Sequence, residues 1–273
     1  MASSPEKGAT VPFLRWAGSK RQLIPQLSQY WSGEFRRYIE PFMGSACLFF
    51  SLQPRNAVLS DINADLVQTF LEVRDNGEEV WRLLKKWPRS REVFYKMRKA
   101  DPRRLSAAKA AARFIYLNRF CFNGLYRTNL RGQFNVPYAP ARTGMLPSKE
   151  ALKACAILLR RAKIIASDFE DILSETRKGD FVYMDPPFAT RERRVFTEYS
   201  AEIFGEVDLL RLSDALHDLD RRKVRFVVSY ADCRLARETL GTWHCSRVRS
   251  RRNIAGFGKH RGYAYEIIAT NIS

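Results

Sequence analysis

The chain has 273 residues, of which 45% are hydrophobic, so it can bury a substantial core within one or two domains. No apolar run approaches the roughly 18 residues of a membrane span, and the stretch from Met1 to Thr10 lacks the charged-then-apolar order of a signal peptide. We therefore expect a cytoplasmic globular protein. The formal charge of +18 and the pI near 10.0 favour a polyanionic partner, with nucleic acid first and a generic basic surface as the alternative.

Cysteine and histidine usage argues against metal or disulfide chemistry. The five cysteines contain no C-x-x-C pair, and the three histidines show no metal-ligand spacing with them. We expect reduced thiols and no metal cofactor. The residues concerned are Cys47, Cys121, Cys155, Cys233, Cys245, His217, His244 and His260.

The first clear supersecondary unit is a strand, a helix and a second strand. Residues 37–40 and 57–60 are predicted to form short buried strands. Residues 46–50 between them suit a packed helix that follows a turn at Gly44. The pattern predicts a βαβ unit.

The segment from Leu66 to Gly144 has a different character. Helical stretches are predicted around residues 80–81 and 107–116, and a polar run marked by glycine and asparagine extends from Asn118 to Pro137. We interpret residues 66–144 as an inserted, mainly helical domain that carries a loop or hairpin. Residues 1–65 and 145–273 would form the other domain.

Strands and helices alternate again after this insert. Pro147-Ser148 predicts the start of a helix, and later strands are predicted at residues 163–166, 181–184, 224–229 and 263–269. Leu209, Leu212, Leu216 and Leu219 form one stripe of a further helix. This alternation predicts an α/β fold with a doubly wound sheet, in which ligands bind at the carboxyl ends of strands.

Three acidic residues stand at the carboxyl ends of predicted strands, namely Glu40, Asp61 and Asp185. Asp185 begins the block Asp185-Pro186-Pro187-Phe188, which suits the activation of an exocyclic amino group. The Asp185 carboxylate and the Pro186 carbonyl would accept its N–H bonds, and Phe188 offers a face for stacking a base. The alternative is an ordinary strand that ends in a proline-capped turn.

The turn after the first strand and the end of the second suggest a nucleoside ligand. Gly44 would let backbone approach the ligand, and Asp61 could bind two ribose hydroxyls. Alternatively, Asp61 caps a helix over residues 62–70. Near the start, Lys20 could pair with a ligand carboxylate, or it could be a solvated lysine.

Five blocks in this order resemble the Dam-type, or D12 class, DNA adenine-N6 methyltransferases. The blocks are Trp16-Ala17-Gly18-Ser19-Lys20, residues 40–45 (Glu-Pro-Phe-Met-Gly-Ser), Asp61-Ile62-Asn63, residues 118–137 with Asn118-Arg119 and Phe122 to Arg127, and Asp185-Pro186-Pro187-Phe188. The resemblance implies a Rossmann-like S-adenosylmethionine-dependent methyltransferase sheet with helices on both faces. It also implies an inserted, mainly helical DNA-recognition domain bearing a β-hairpin.

The resemblance assigns roles residue by residue. The catalytic residues would be Asp185, Pro186 and Phe188, and S-adenosylmethionine would be bound by Trp16, Lys20, Phe42, Gly44, Asp61, Asp168 and Phe169. Double-stranded DNA would be bound by Arg119, Phe122, Asn123, Leu125, Arg127, Asn129, Phe134 and Arg191. Within this set, Arg127 is expected to bond a guanine and Phe122 to fill the gap left by a flipped adenine.

Several features depart from the family pattern. Phe188 stands where Tyr is usual, and Ser19 and Ala46 stand where Gly is common. Phe188 keeps the stacking face, whereas the methyl of Ala46 would lie near the donor and affect its binding. Arginines after the catalytic block and near the C-terminus, including Arg191 and Arg247, fit phosphate contacts or a solvated face.

The sequence therefore predicts methyl transfer to a flipped adenine in duplex DNA, in a GATC or related GAT-containing site. The rivals are methylation of RNA or protein amino groups and a DNA-binding protein of the same fold with weakened catalysis. We expect a monomer in solution, with a dimer on DNA as the alternative, working in a prokaryotic or phage-type cytosol.

Overall fold

The computed structural model describes residues 10–139, 144–188, 204–251 and 263–272. The strands of the described chain are β1 (Arg37–Glu40), β2 (Ala57–Asp61), β3 (Ala162–Ala166), β4 (Asp180–Met184), β5 (Arg225–Ala231), β6 (His244–Arg251) and β7 (Tyr263–Thr270). Its α-helices are α1 (Ile24–Leu27), α2 (Cys47–Leu52), α3 (Ala64–Leu84), α4 (Arg91–Lys99), α5 (Ala107–Phe120), α6 (Lys149–Leu159), α7 (Phe169–Ser174), α8 (Glu206–Arg221) and α9 (Arg234–Leu240). None of the helices in these ranges has the length and apolarity needed to cross a membrane.

All seven strands form one sheet in the order β3-β2-β1-β4-β5-β7-β6. Strands β1 to β5 pair in parallel, and β7 runs antiparallel between β5 and β6. The central strand β4 is buried at every residue, as expected for a parallel strand covered on both faces. In this order the carboxyl ends of β2, β1 and β4 lie side by side.

Helices cover both faces of the sheet, as the sequence predicted. Alternate residues of each strand point to opposite faces, so Tyr38 joins one apolar cluster and Ile39 the other. The first cluster includes Phe70 of α3, Phe114 of α5 and Leu152 of α6. The second is built mainly from the sheet and helices α7, α8 and α9. The α/β fold class is confirmed.

Most predicted elements are present with small shifts of their ends. The helix predicted from Ser148 begins there, because the Ser148 hydroxyl accepts the Ala151 N–H as an N-cap. Strand β6 was not predicted from the sequence. The helix predicted over residues 107–116 continues to Phe120, so Asn118 and Arg119 lie on the last turn of α5 and not in a loop.

The segment interpreted as an inserted domain is packed directly against the sheet domain. Helix α3 contacts both α5 and α6, and the predicted boundary at residue 66 lies inside α3. Residues 121–138 then form a short hairpin with isolated antiparallel bridges at Cys121–Tyr138 and Thr128–Phe134. The role of residues 66–144 as a target-recognition domain remains a prediction.

Candidate active site

The predicted convergence of acidic residues is present in the structure. Glu40 ends β1, Asp61 ends β2 and Asp185 directly follows β4, and these strands are neighbours in the sheet. Because the carboxyl ends of neighbouring parallel strands lie at the same end of the sheet, these side chains lie close to one another. Glu40 is buried and accepts a hydrogen bond of 2.9 Å from the Tyr38 hydroxyl, and burial raises the pKa of its carboxyl well above the usual value.

Asp185 is the most tightly surrounded of these carboxylates. The ammonium Nζ of Lys20 lies 2.6 Å from Asp185 Oδ1, and the Ser229 hydroxyl donates to the same oxygen at 3.3 Å. Ser229 is itself 3.0 Å from the hydroxyl of Tyr183. Burial raises the pKa of Asp185, and the charge of Lys20 opposes that shift. The predicted catalytic acceptor therefore lies in a pocket where its charge depends on one buried cation.

Lys20 lies closer to the catalytic block than the sequence indicated. Its side chain is 4% exposed, and its Nζ lies 4.9 Å from the ring centroid of Phe188. Burial alone would lower the pKa of Lys20, but the charges of Asp185 and Glu266 raise it above its ordinary value. The role of Lys20 toward a ligand carboxylate stays a prediction. Its present partners are protein carboxylates.

The rest of the catalytic block consists of Pro186, Pro187 and Phe188, whose ring is partly exposed. Pro186 is buried and Pro187 is exposed, so the chain leaves the sheet at this dipeptide. The Phe188 ring packs edge-on against Tyr230 with centroids 5.2 Å apart and remains partly accessible. One face of an aromatic ring is thus held beside the Asp185 carboxylate.

Gly44 and Asp61 are joined directly at the neighbouring strand ends. Asp61 Oδ2 accepts the Gly44 N–H at 3.1 Å, and Oδ1 accepts the Asn63 N–H at 3.0 Å. Burial raises the pKa of Asp61 to about 6. The helix-capping alternative for Asp61 is wrong, because Asn63 is the N-cap of α3 and accepts the Leu66 N–H. Each Asp61 oxygen retains a lone pair for a further donor, which fits a diol ligand.

Trp16 connects this turn to the inserted segment. Its ring stacks near Phe114 and Tyr126, with centroid distances of 6.4 and 6.0 Å. A Cβ atom at Gly44 would lie only 2.7 Å from Trp16 Cδ1, so the tryptophan packs directly on the glycine. Gly44 also has a φ of +45°, a conformation that favours glycine. The turn is therefore shaped by both its backbone and the indole above it.

Phe42, Asp168 and Phe169 lie together on the other side of the turn. The rings of Phe42 and Phe169 are 5.3 Å apart, and Phe169 is buried. Asp168 caps α7 by accepting the Glu170 N–H and forms an ion pair of 2.8 Å with Arg211. The looser assignment of Asp168 to a donor site remains a prediction, since its carboxylate already has protein partners.

The predicted DNA-binding residues divide into accessible and packed ones. Arg127 donates from Nε to Asn135 Oδ1 at 2.7 Å, and Asn123 has a φ of +55° with a buried Nδ2 that lacks a hydrogen-bond partner among the described residues. Asn129 Oδ1 accepts the backbone N–H groups of Arg131 and Gln133, which fixes the hairpin turn. Phe122 and Leu125 are partly buried, Phe134 is buried, and Arg191 lies outside the described residues.

Arg119 has a role that the sequence did not indicate. Its guanidinium donates to the carbonyls of Phe13 at 2.9 Å and Pro12 at 3.4 Å, and burial lowers its pKa to about 10. It therefore ties the N-terminal segment to α5, and its contact with DNA stays a prediction.

Asn118 and Glu266 were missed as site residues. Asn118 accepts the Arg15 N–H at 2.9 Å and donates to the Arg15 carbonyl at 2.6 Å. Glu266 lies on β7, with Oε2 3.5 Å from Lys20 Nζ. The sequence block around Asn118 could have suggested a structural role, whereas Glu266 stands in a strand with no motif around it.

An aspartate paired with a buried lysine and followed by Pro-Pro-Phe thus lies at the carboxyl ends of the parallel strands of a Rossmann-like sheet. The model of the D12 class N6 adenine-specific DNA methyltransferase family matches residues 16–254. The chain belongs to this family.

Curated relatives agree over nearly the whole length. The chain is 35% identical to the Type II methyltransferase M1.LlaDCHI of Lactococcus lactis subsp. cremoris over 269 residues, covering 95% of each chain. It is 33% identical to the Type II methyltransferase M.MjaIII of Methanocaldococcus jannaschii, covering 80% of this chain and 83% of that one. It is also 29% identical to the DNA adenine methylase of Escherichia coli strain K12, covering 94% of each.

The packing of Trp16 on Gly44 leads to a prediction about stability. Gly44→Ala should destabilise the protein by about 1–3 kcal/mol, because the new methyl meets the indole and the residue has a positive φ. Urea unfolding would measure the loss, and tryptophan fluorescence would report the displaced ring. Gly77→Ala is the matched control, since a Cβ there meets nothing within 4 Å. Equal stability of the two variants would contradict the packing argument.

Proposed function

We propose that the protein transfers a methyl group from S-adenosylmethionine to N6 of an adenine flipped out of duplex DNA, in a GATC or related GAT-containing site. The observation that carries the proposal is the Asp185 carboxylate, paired with the buried Lys20 at the end of β4, close to Gly44 after β1 and Asp61 at the end of β2. Family membership supports adenine in DNA as the substrate.

The catalytic block would prepare the amino group by accepting its hydrogens. The adenine N6 lone pair is delocalised into the ring, so hydrogen bonds from N6 to Asp185 and to the Pro186 carbonyl would favour a localised lone pair. Phe188 would stack on the base and hold N6 in place. Asp185 would then take the proton that N6 loses, which its raised pKa favours.

The residues around Gly44 and Asp61 fit the donor. Asp61 has acceptor capacity for two ribose hydroxyls, and it holds the Gly44 N–H of the neighbouring turn, on which Trp16 packs. Phe42 and Phe169 supply an apolar wall for a purine. S-adenosylmethionine would supply a sulfonium methyl group that is transferred as the sulfur keeps the C–S bonding electrons. The protein's part is to bind and align the two substrates.

The basic chain and the hairpin support a duplex DNA substrate. A charge of +18 would attract the phosphate backbone, and the hairpin turn at Asn129 presents the exposed Arg131 beside the partly exposed Arg127. Arg127 would read a guanine and Asn123 would bond near the extruded adenine. The unpartnered Asn123 Nδ2 is consistent with a ligand-binding role.

The first test removes the predicted acceptor. Asp185→Ala should lower methyl transfer into a GATC-containing duplex by at least about 100-fold, because N6 loses its charged acceptor. Radiolabelled methyl incorporation measures transfer, and an electrophoretic mobility shift checks that DNA binding persists. Asp75→Ala, which removes an exposed carboxylate paired to Arg74, is the control. Transfer at the wild-type rate by Asp185→Ala would rule out the mechanism.

The raised pKa of Asp61 predicts a pH dependence of donor binding. The folded pKa of about 6 lies above the usual value, so protonation on lowering the pH from 7.5 to 5 removes the charged acceptor for the ribose. Affinity for S-adenosylmethionine should fall by about tenfold over this range. Calorimetry would measure it, with Asp61→Asn expected to bind weakly and without this dependence. A flat profile for the wild type would contradict the assignment.

The hairpin predicts sequence discrimination at one base. Arg127→Ala should lose about 1–3 kcal/mol of discrimination at a single guanine, because its guanidinium would no longer bond that base edge. Competition among duplexes with each position changed would measure it. Arg131→Ala is the matched control on the same hairpin and should weaken binding to all sequences alike. Unaltered discrimination by Arg127→Ala would remove Arg127 as the reader.

A further inference from the structure

Glu266 is a mostly buried carboxylate that the proposed mechanism does not use. It lies on β7, and its side chain is 12% exposed. Its Oε1 accepts the Ser250 hydroxyl at 2.7 Å, which fixes the carboxylate from the side of β6. Its Oε2 is buried and accepts no close hydrogen bond from the described residues, and its contact there is a long ion pair with Lys20. A buried carboxylate oxygen without a close donor is costly and calls for an explanation.

Within the described part of the chain, the cation that pairs with this oxygen is the ammonium of Lys20. Nζ of Lys20 lies 3.5 Å from Glu266 Oε2, beyond hydrogen-bond length, and 2.6 Å from Asp185 Oδ1. A third contact, to the Gly18 carbonyl at 3.1 Å, holds the ammonium from its own segment. Lys20 thus lies between two carboxylates and is bonded to one of them.

Lys20 occupies one of the two oxygens of Asp185. Oδ1 accepts from Lys20 and from Ser229, so an adenine amino group that donates to this oxygen competes with the ammonium, whereas Oδ2 accepts no hydrogen bond from the described residues. An ammonium that leaves Oδ1 needs another carboxylate, because a buried cation without a charged partner is strongly disfavoured. Among the described residues, Glu266 already forms the second ion pair of Lys20, and Nζ reaches hydrogen-bond distance of Oε2 with a movement of about one ångström.

We propose that Glu266 is a positioning residue for methyl transfer, which receives the Lys20 ammonium when the adenine amino group occupies Asp185. This inference rests on the proposed function and deepens it. Lys20 keeps a buried partner throughout, and Asp185 is freed without losing the nearby positive charge that keeps it ionised. Glu266 itself does not touch the substrate.

The charges around Asp185 give this role a signature in the pH profile. The charged and titratable groups that face it are Lys20 from the N-terminal segment, Glu266 from β7, Glu40 from β1, Tyr183 from β4 and Cys47 from α2, with the Ser229 hydroxyl from β5. The negative charge of Glu266 raises the pKa of Asp185. Removing that charge lowers the pKa of Asp185. The fall of the methylation rate at acid pH should therefore begin at a lower pH.

The experiment uses the full chain and single-turnover methylation of a GATC-containing duplex at saturating donor from pH 5 to 9. Glu266→Gln keeps the shape and the acceptor for Ser250 but removes the charge that would hold Lys20. We expect a rate about 10- to 100-fold lower, with its acid limb shifted to lower pH. Glu266→Asp keeps the charge but retracts it from Lys20, so the rate should be intermediate and the acid limb unchanged.

Asp232→Asn is the matched control. Asp232 is a buried carboxylate at the end of β5, hydrogen-bonded through its backbone to Tyr265, and its side chain pairs with Arg237 and Arg247 instead of Lys20. Its single-turnover rate should stay within about twofold of the wild type, because it does not contact the catalytic pocket. Circular dichroism would confirm that each variant folds.

The outcomes separate this inference from the function on which it rests. A wild-type protein that methylates no adenine in duplex DNA overturns the proposed function. An active wild type with a folded Glu266→Gln of equal rate and an unmoved acid limb overturns the role of Glu266 alone. A lower rate with an unmoved limb assigns Glu266 to packing and also overturns it. If Glu266→Gln does not fold, a wild-type rate for Glu266→Asp overturns the role of Glu266.

Discussion

The ion pair between Lys20 and Asp185 is the interaction on which the site depends. The sheet brings the carboxylates of Glu40, Asp185 and Glu266 into one poorly hydrated region, and burial raises the pKa of Glu40 and Asp185. Carboxylates this close would bind protons unless a cation compensated them. Lys20 is that cation, so the N-terminal segment must dock on the sheet edge before Asp185 can act as a charged acceptor.

The same N-terminal segment also carries the connection to the hairpin. Asn118 bonds both backbone groups of Arg15, and its Nδ2 lies 3.3 Å from the Gly124 carbonyl in the turn before Arg127. The next residue, Trp16, packs on Gly44. One segment outside the sheet thus contacts three parts of the site. Arg15 bonds to Asn118 beside the hairpin, Trp16 packs on Gly44, and Lys20 pairs with Asp185.

A residue's role could be predicted from the sequence when it depends on its neighbours along the chain, and not when it depends on contacts that only the fold creates. Strand β4 was predictable because residues 181–184 are an apolar run, and Asp185 because the chemistry of its block is contained in successive residues. Strand β6 was missed because basic and polar residues fill it at the sheet edge, where apolar burial gives no signal. Glu266 was missed for a related reason. Its importance comes from Lys20, a partner that only the folded sheet brings near.

The structure also places the methyl group of Ala46, which stands where the family commonly has Gly, differently from the sequence prediction. The sequence suggested that its methyl would crowd the donor. Ala46 has a φ of 51° and is fully buried in the first apolar cluster, so the methyl packs into the core beneath α2. The cost is then one left-handed alanine, about 1–2 kcal/mol of backbone strain that burial of the methyl partly offsets. Ala46 therefore affects the stability of the turn, whereas Gly44 and Trp16 shape the side of the turn where the sequence predicted the donor.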